Sequence, residues 1–270
     1  MAATSSPPPT ADTAAELTAI VMADDVRGAL WAAVDDGRME RLVPELDALR
    51  MEQDPIHKHK DVLSHTIAVV GNTPADLEVR LSALFHDIGK PKTRRIDEHG
   101  VTFRHHEAVG ARMARKRLTE LGYDEQLVDD VSELVRISGR FKGYADGWSD
   151  SAVRRYARDA GHLLGKLNIL VRCDCTTRNP RKRLELQEHV DSIEARIAEL
   201  AEADRRAAER PDMDGNAVMA YLDLPPGPVV GRAVKYLLEL KRAEGTLERD
   251  LLEKRLDEWW ADQPEHPGAG

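Results

Sequence analysis

Apolar residues recur at helical spacing through most of the chain. The clearest run has its apolar positions at Leu77, Leu81, Leu84 and Phe85. These spacings of four, three and one residues place one apolar stripe along a helix. Gly89 and Pro91 follow, and both residue types are typical of helix ends. The pattern therefore predicts a helix that presents the adjacent His86 and Asp87 near its carboxyl end.

Similar patterns predict helices on both sides of this run. Short helices are expected between Val26 and Leu49, and Asp61 and Asp124 carry carboxylates that can cap two longer ones. Other starts are expected near His105, Ser151 and His162, and a long helix should follow Pro180. Two short, extended pieces should flank a turn at His99-Gly100. We therefore expect an all-α protein.

Composition and proline positions predict the domain organisation. The first residues are rich in Pro, Ser, Thr and Ala, which is typical of a disordered leader, and Pro211 marks a boundary further on. The predicted segments are a disordered leader (1–25), a helical linker (26–50), a main helical domain (51–210), a helical tail (211–263) and a disordered end (264–270).

The overall composition narrows the classes of protein. Charged residues make up 32% and aromatic residues 4% of the chain, and the net charge is -9. This balance argues against a surface that binds nucleic acid throughout, although it allows local basic patches. The two cysteines are Cys173 and Cys175, which give no disulfide framework and fit a reducing cytoplasm. No apolar run approaches the roughly 18 residues needed to cross a membrane.

Four side chains are candidate ligands for one metal ion: His65, His86, Asp87 and Asp174. Adjacent helical residues point about 100° apart, so the His86-Asp87 pair needs partners from other segments to complete a site. Two imidazoles and two carboxylates suit Mn²⁺, Ni²⁺, Co²⁺, Fe²⁺, Mg²⁺ or Zn²⁺. Taken alone, His65 also fits a hydrogen-bonded core histidine, and Asp174 fits an ordinary helix cap.

Several segments together resemble a known family. They are HKHKDVLSHT, LSALFHDIGKPKTRR, VTFRHHEAVGARMARKRL, WSDSAVRRYARDAG, VRCDCTTRNPRKR and PPGPVVGRAVKYLLEL. They resemble the HD superfamily of metal-dependent phosphohydrolases, and especially the body and tail of bacterial CCA-adding tRNA nucleotidyltransferases (the poly(A) polymerase family). The resemblance extends from about Leu42 to Trp260. It implies an HD-domain helical bundle with a small helical tail, and it implies metal ligation by the four candidate side chains.

Two departures from the family pattern change what we expect. The nucleotidyltransferase head, with its Gly-Gly motif and paired carboxylates, has no counterpart in these 270 residues, so nucleotide addition by this chain alone is not expected. In addition, Ser138 and Lys142 stand where similar proteins usually have histidines. A second metal held by His105 or His106 would therefore lack a partner, and we expect one divalent metal ion.

The candidate catalytic residues are Asp87, Lys90 and His106. Lys90 could hold a substrate phosphate, or it could compensate the carboxyl end of a helix. His106 could donate a proton to a leaving group or orient a phosphate, although it and His105 also fit a solvated helix start. Cys173 and Cys175 are most simply packing residues.

Basic clusters could contact an RNA backbone, or they could be solvated helix faces. The candidates for RNA or phosphate binding are Lys92, Arg94, Arg95, Arg178, Arg181 and Arg183.

Two hypotheses follow from these residues. The leading one is a metal-dependent phosphohydrolase acting on a nucleotide, a cyclic phosphate or an RNA-end phosphate ester. The alternative is a headless relative of the tRNA nucleotidyltransferases that binds tRNA or another RNA without adding nucleotides. The sequence leaves the metal, the substrate and the oligomeric state open.

Overall fold

The structure, a computed structural model, describes residues 11–51, 61–97, 100–144, 147–177 and 179–267, and it is almost entirely helical. The helices are α1 (Ala11–Val21), α2 (Val26–Asp35), α3 (Arg38–Leu42), α4 (Val62–Val70), α5 (Leu77–Phe85), α6 (Lys90–Thr93), α7 (His106–Leu121), α8 (Glu125–Ile137), α9 (Asp150–Ala160), α10 (Leu164–Asp174), α11 (Pro180–Ala208), α12 (Gly215–Leu222), α13 (Pro228–Glu244) and α14 (Arg249–Ala261). Short 3₁₀ helices occupy Pro44–Leu49, Ser138–Phe141 and Gly161–Leu163. The predicted all-α class is confirmed.

A small hairpin interrupts the helices. Strand β1 (Arg94–Asp97) pairs with β2 (Gly100–Phe103) in an antiparallel register that sets Arg94 opposite Phe103. The predicted extended pieces are therefore present. The connecting residues 98–99 lie outside the described residues.

Helix α5 is the central helix of the first compact unit, residues 1–198. It packs against α4, α8 and α10. Every residue from Val79 to Phe85 is buried, including Arg80 and Ser82, as expected for a helix enclosed on all sides. Because α4 and α10 lie beside α5, His65 in the first half of α4 and Asp174 at the end of α10 can meet the residues that follow Phe85.

Carboxylate caps begin several of these helices. The Asp61 side chain accepts a hydrogen bond from the Ser64 amide at 2.8 Å, and Asp124 accepts one from the Leu127 amide at 3.0 Å. Each bond satisfies an amide that has no partner within the helix. Both predicted caps are confirmed.

The first helix corrects the predicted leader. Residues 1–10 lie outside the described residues, but from Ala11 the chain forms α1, in which Leu17, Ile20 and Val21 are buried in the core. The buried Arg80 guanidinium donates to the carbonyl of Val21 at 2.7 Å. The Pro-rich composition gives no indication of this short apolar stripe, which is buried through contacts that include α5 and α7.

The second compact unit covers residues 199–270 and contains the end of α11 and helices α12 to α14. Its core includes Val218, Ala233, Leu237 and Leu256. The division between the units falls within α11, earlier than the predicted boundary at Pro211. Pro211 lies three residues after the end of α11, which runs from Pro180 to Ala208.

The predicted disordered end also differs from the structure. Residues 264–267 form turns beyond α14, and Glu265 Oε1 accepts from the Arg232 guanidinium at 2.6 Å. The last three residues lie outside the described residues. In the ranges that are described, no helix is long and apolar enough to cross a membrane.

Candidate metal centre

Three helices deliver the four candidate ligands to one place. His65 lies in α4, His86 and Asp87 lie in the turn after α5, and Asp174 is the last residue of α10. The predicted helix ends at Phe85, one residue before the pair, and Pro91 lies in the first turn of the short helix α6. His86 itself keeps helical backbone angles, with φ of -58° and ψ of -34°.

The candidate ligand atoms converge closely. His65 Nε2 lies 3.0 Å from Asp174 Oδ1 and 3.7 Å from Asp87 Oδ2. His86 Nε2 lies 3.4 Å from Asp174 Oδ1 and 3.3 Å from Asp87 Oδ2. Ligands about 2.1 Å from one ion are about 3.0 to 3.4 Å apart in octahedral or tetrahedral arrangements. The separations of 3.0, 3.3 and 3.4 Å fit a shared metal ion, and that of 3.7 Å between His65 and Asp87 is longer.

The hydrogen bonds of His86 leave a nitrogen facing the centre. Its Nδ1 lies 2.7 Å from the Ala83 carbonyl, so Nδ1 carries the proton that is donated to that oxygen. Its Nε2 is buried and has no hydrogen-bond partner within the described residues. A bare imidazole nitrogen that faces two carboxylates needs a cation or a proton between them. This orphaned atom supports the fit of the site to a metal.

The pKa values of the candidate ligands reflect the same crowding. Burial alone would lower the pKa of His86, but the carboxylates of Asp87 and Asp174 outweigh it and raise that pKa to about 10. Burial would raise the pKa of each carboxyl group, whereas His86, His65 and, at Asp87, Lys90 hold both pKa values well below their usual range. The pKa of each of these groups therefore depends on the charges of the others.

The centre is open on one side. The side chains of His86 and Asp87 are 6% and 3% exposed, whereas that of Asp174 is 50% exposed. Beside Asp174 lies a cavity of about 330 Å³, which we call the substrate cleft. Its lining includes Asp174, Ser138, Phe141, Lys142, Tyr144 and His189. The ligands are therefore held from within the core while one carboxylate borders an accessible space.

Lys90 contacts a candidate ligand directly. Its buried Nζ donates to Asp87 Oδ2 at 2.7 Å and lies 5.5 Å from the centre of the Phe103 ring. The ammonium is thus engaged with Asp87, and this contact orients the carboxylate. The predicted phosphate-binding role remains a prediction.

His106 approaches the same carboxylate from α7. Its Nδ1 lies 2.8 Å from the Phe103 carbonyl, and its Nε2 lies 3.6 Å from Asp87 Oδ1. Burial lowers the pKa of this imidazole. His105, in contrast, is exposed and forms the N-cap of α7 with a left-handed φ of 61°. Of the two adjacent histidines, only His106 therefore turns toward the centre.

A close approach of two backbones sets the position of His106. A Cβ added at Gly89 would lie 2.2 Å from the His106 carbonyl oxygen and 2.7 Å from the Gly110 amide nitrogen. Because Gly89 has a φ of -81°, its backbone conformation is open to any residue. The glycine is therefore required by the contact with α7.

Ser138 and Lys142, which stand where similar proteins usually have histidines, contact other groups in the structure. Ser138 Oγ donates to the Val135 carbonyl at 2.9 Å. Lys142 Nζ lies 3.2 Å from Glu107 Oε1, and the other carboxylate oxygen of Glu107 lies 3.3 Å from His106 Nδ1. A lysine–glutamate pair therefore borders His106 in this part of the structure.

The structure describes five of the six predicted RNA-contacting residues. Lys92 and Arg95 are exposed and Arg94 is half-buried, while Arg178 lies outside the described residues. Arg181 is exposed and pairs with Glu185 at 2.9 Å, and the exposed Arg183 donates to the Thr177 carbonyl at 3.1 Å. The exposed residues are accessible to a partner, and RNA binding stays a prediction.

Sequence reasoning missed several residues that support the centre. Thr176 Oγ1 lies 3.0 Å from His65 Nδ1, and Glu107 borders His106. Cys173 Sγ donates to the Asn72 carbonyl at 3.3 Å, which ties the end of α10 to the turn after α4. Thr176 and Cys173 are far in sequence from the residues they contact, so no local spacing indicates these contacts, whereas Glu107 directly follows His106 in the chain.

Comparison with known proteins identifies the class. The model of the HD domain family matches residues 62–208, and the chain belongs to this family. The matched range contains all four candidate ligands. A His-His-Asp cluster that could hold a metal ion, His65 with His86 and Asp87, is accordingly present.

Two curated relatives add detail. The CC-adding tRNA nucleotidyltransferase of Thermus thermophilus is 36% identical over 213 residues, which cover 75% of this chain and 46% of the relative. The A-adding tRNA nucleotidyltransferase of Deinococcus radiodurans is 30% identical over 264 residues, which cover 94% of this chain and 58% of the relative. The chain thus spans about half the length of the curated relatives it matches.

Proposed function

We propose that this protein is a metal-dependent phosphohydrolase that cleaves a phosphate ester of a nucleotide, a cyclic phosphate or an RNA end. The observation that carries the proposal is the convergence of His65 Nε2 and His86 Nε2 on the carboxylates of Asp87 and Asp174, at separations of 3.0 to 3.7 Å. Membership of the HD domain family supports it.

The four side chains would hold one divalent ion. Such an ion, when bound, supplies an acidified water and polarises a phosphoryl oxygen. Thr176 orients the ring of His65, and the Ala83 carbonyl orients that of His86, so that both Nε2 atoms face the carboxylates. Lys90 holds Asp87 Oδ2 in place.

His106 is the proposed proton-transfer group. With the Nδ1 proton donated to the Phe103 carbonyl, Nε2 offers a lone pair next to Asp87. It can accept a hydrogen bond from water or from a substrate hydroxyl, and in its charged form it can return the proton to a leaving oxygen. This geometry supports the proposed role of His106 in acid–base catalysis.

The substrate cleft supports a nucleotide-like substrate. Phe141 and Tyr144 provide aromatic surface, with ring centres 5.3 Å apart. Lys142, whose side chain is 73% exposed, pairs with Glu107 at 3.2 Å and would exchange this partner for a substrate phosphate. An aromatic wall beside a cation and Asp174 matches a base joined to a phosphate.

The experiment is turnover by the purified chain with added Mn²⁺, Ni²⁺ or Mg²⁺. The substrates are 2′,3′-cyclic nucleotides, nucleoside monophosphates, deoxynucleoside triphosphates and a short RNA with a terminal phosphate. We expect metal-dependent turnover of at least one substrate, and we expect Asp87→Ala to reduce it to background.

The matched control is Asp129→Asn, which changes an exposed carboxylate paired with Arg115 on α7. This control should retain full activity. No turnover with any metal, or equal turnover by Asp87→Ala and the parent chain, would contradict the proposal.

A second candidate function, binding of tRNA without nucleotide addition, is favoured by one observation. The similarity to the A-adding tRNA nucleotidyltransferase covers 94% of the chain and so extends beyond the matched HD domain. This function predicts tRNA binding that weakens with salt, survives Asp87→Ala and weakens when Arg181 and Arg183 are both changed to Ala. Absence of binding at low salt would exclude it.

A further inference from the structure

A second cavity lies on the other side of the segment that carries Asp174. It has a volume of about 470 Å³ and is lined by residues that include Arg27, Asn72, Arg172, Cys175, Thr176 and Arg183. We call it the arginine cavity. Cys175 lines both this cavity and the substrate cleft, so residues 174–176 run between the two spaces.

The arginine cavity holds two cations without carboxylate partners. Arg172 is neutralised by Asp191 at 2.6 Å and Glu194 at 2.8 Å. Arg27 donates to the Ala68 carbonyl and the Asn72 side chain, and Arg183 donates to a backbone carbonyl. Within the part of the chain that the structure describes, neither Arg27 nor Arg183 pairs with a carboxylate.

This excess of positive charge contrasts with the whole chain. The net charge is -9, and most exposed arginines of the described residues pair with a neighbouring Asp or Glu, as Arg38 does with Asp36 at 2.7 Å. The described lining of the arginine cavity contains no carboxylate. Two unneutralised guanidinium groups in one concave space produce a local potential that attracts an anion.

The guanidinium of the exposed Arg27 packs against the backbone of Gly71. A Cβ added at Gly71 would lie 2.6 Å from Arg27 Nε and 3.0 Å from Nη2. Gly71 has a φ of -65°, so its backbone conformation does not itself require glycine. The missing side chain makes room for the guanidinium, whose hydrogen bonds at 3.3 and 3.2 Å both use Nη2.

We propose that the arginine cavity is a binding site for phosphoryl groups, held between Arg27 and Arg183. A planar guanidinium presents parallel N–H groups that match phosphate oxygens, and two such groups suit an anion with several oxygens. The Thr176 hydroxyl on the cavity wall also contacts His65. The phosphoryl group could belong to a free polyphosphate or to an RNA strand, and the site is independent of whether the metal centre hydrolyses phosphate esters.

The experiment measures binding to the full chain in the presence of a chelator, which prevents phosphate from binding through a metal. One probe is inorganic pyrophosphate, measured by titration calorimetry. The other is a fluorescent single-stranded oligoribonucleotide, measured by anisotropy at fixed low salt. The variants are Arg27→Gln, Arg183→Gln and Gly71→Ala, and the control is Arg38→Gln.

We expect Arg27→Gln and Arg183→Gln each to weaken binding about tenfold, the effect of one lost charged hydrogen bond. Gly71→Ala should weaken it similarly although it leaves the net charge unchanged, because it displaces Arg27. The control Arg38→Gln removes one positive charge elsewhere and should change binding less than about twofold. Circular dichroism and the melting temperature verify that each variant is folded.

The two probes separate the two sources of the phosphoryl group. Weakening with both probes indicates a general phosphoryl site, and weakening with the oligoribonucleotide alone indicates a site for an RNA strand. The proposal is overturned if neither probe binds, or if the three variants bind both probes as tightly as Arg38→Gln does. A loss of hydrolysis without a loss of binding would affect only the proposed function.

Discussion

At the scale of single residues, the centre depends on contacts that orient its ligands. Thr176 and the Ala83 carbonyl each contact the Nδ1 of one imidazole, and Lys90 donates to Asp87. A carboxylate buried as deeply as Asp87 is costly unless charges and donors surround it. We therefore expect the residues that contact the ligands to contribute much of the stability of the site.

Replacing Lys90 by Met tests this interpretation. The change keeps an unbranched side chain that is one atom shorter, and it removes the ammonium that lies 2.7 Å from Asp87 Oδ2. We expect the free energy of unfolding of the metal-free protein to fall by about 3 kcal/mol, since one partner of a buried ion pair is lost. Urea denaturation followed by circular dichroism measures it.

Lys92→Met is the matched control, because Lys92 is exposed two residues away in the same short helix. It should change the free energy of unfolding by less than about 0.5 kcal/mol. Equal stabilities of the Lys90 and Lys92 variants would show that the contact with Asp87 has no energetic role.

At the scale of helices, the site depends on how closely α6 and α7 approach each other. Gly89 contacts the backbone of α7 at His106 and Gly110, and no side chain separates them. This contact brings the imidazole of His106 to within 3.6 Å of Asp87. The glycine thus acts through the distance between two elements.

We expect Gly89→Ala to destabilise the protein by about 2 kcal/mol, as an added methyl group in a packed interior does. It should also reduce any metal-dependent turnover by moving His106 away from Asp87. The control is Gly165→Ala in α10, where an added Cβ meets no atom within 4 Å. Because alanine favours helices, the control should be neutral or slightly stabilising.

Thermal or urea unfolding of both glycine variants makes this comparison. If Gly89→Ala were as stable and as active as Gly165→Ala, the close packing of α6 and α7 would not be required.

A second contact between elements should depend on pH. His162 Nε2, at the start of the segment that leads into α10, lies 2.8 Å from Asp130 Oδ1 on α8. Burial would raise the pKa of Asp130, but hydrogen bonds from Gln126 and His162 outweigh it and lower that pKa. Since the folded pKa lies below the unfolded one, this stabilisation is present above about pH 4 and is lost as the pH falls further.

We therefore expect Asp130→Asn to be less stable than the parent chain at pH 6. The difference should stay below about 1 kcal/mol, because His162 is 71% exposed and solvent screens the pair. It should shrink as the pH is lowered toward about 3, where Asp130 becomes protonated. Urea titrations over this range measure the difference, and a gap that widens at low pH would contradict the assignment.

At the scale of the whole molecule, the chain consists of two compact units, and all four candidate ligands belong to the first. The ligands come from α4, the turn after α5 and α10, so a bound ion would join three elements of one core. Binding that requires the folded arrangement stabilises it by mass action.

We expect a divalent metal at about one hundred times its dissociation constant to stabilise the protein by about 2.7 kcal/mol. Calorimetric melting with Mn²⁺ or Ni²⁺, and again after chelation, measures this shift. In Asp174→Ala the shift should largely disappear, whereas Asp191→Ala, which removes an exposed carboxylate in α11, should retain it. Equal shifts in both variants would exclude Asp174 as a ligand.

The sequence alone predicts the all-α class and the caps at Asp61 and Asp124, because helical periodicity and capping are local. It also predicts the family, because the family motifs are short. The burial of α1 does not follow from it. Its apolar stripe packs against α2, which follows directly, and against α5 and α7, which are far away in the chain and are not indicated by the composition of the first residues.

The chemistry of the candidate centre can also be predicted from the sequence, since residue types determine which atoms can bind a metal. Only the tertiary structure decides that His86 presents an unpartnered Nε2 to two carboxylates, that Lys90 points at Asp87, and that Arg27 and Arg183 share a cavity. The physical reason is that distances between side chains depend on the packing of whole helices, and one glycine such as Gly89 can set that packing without any local signal.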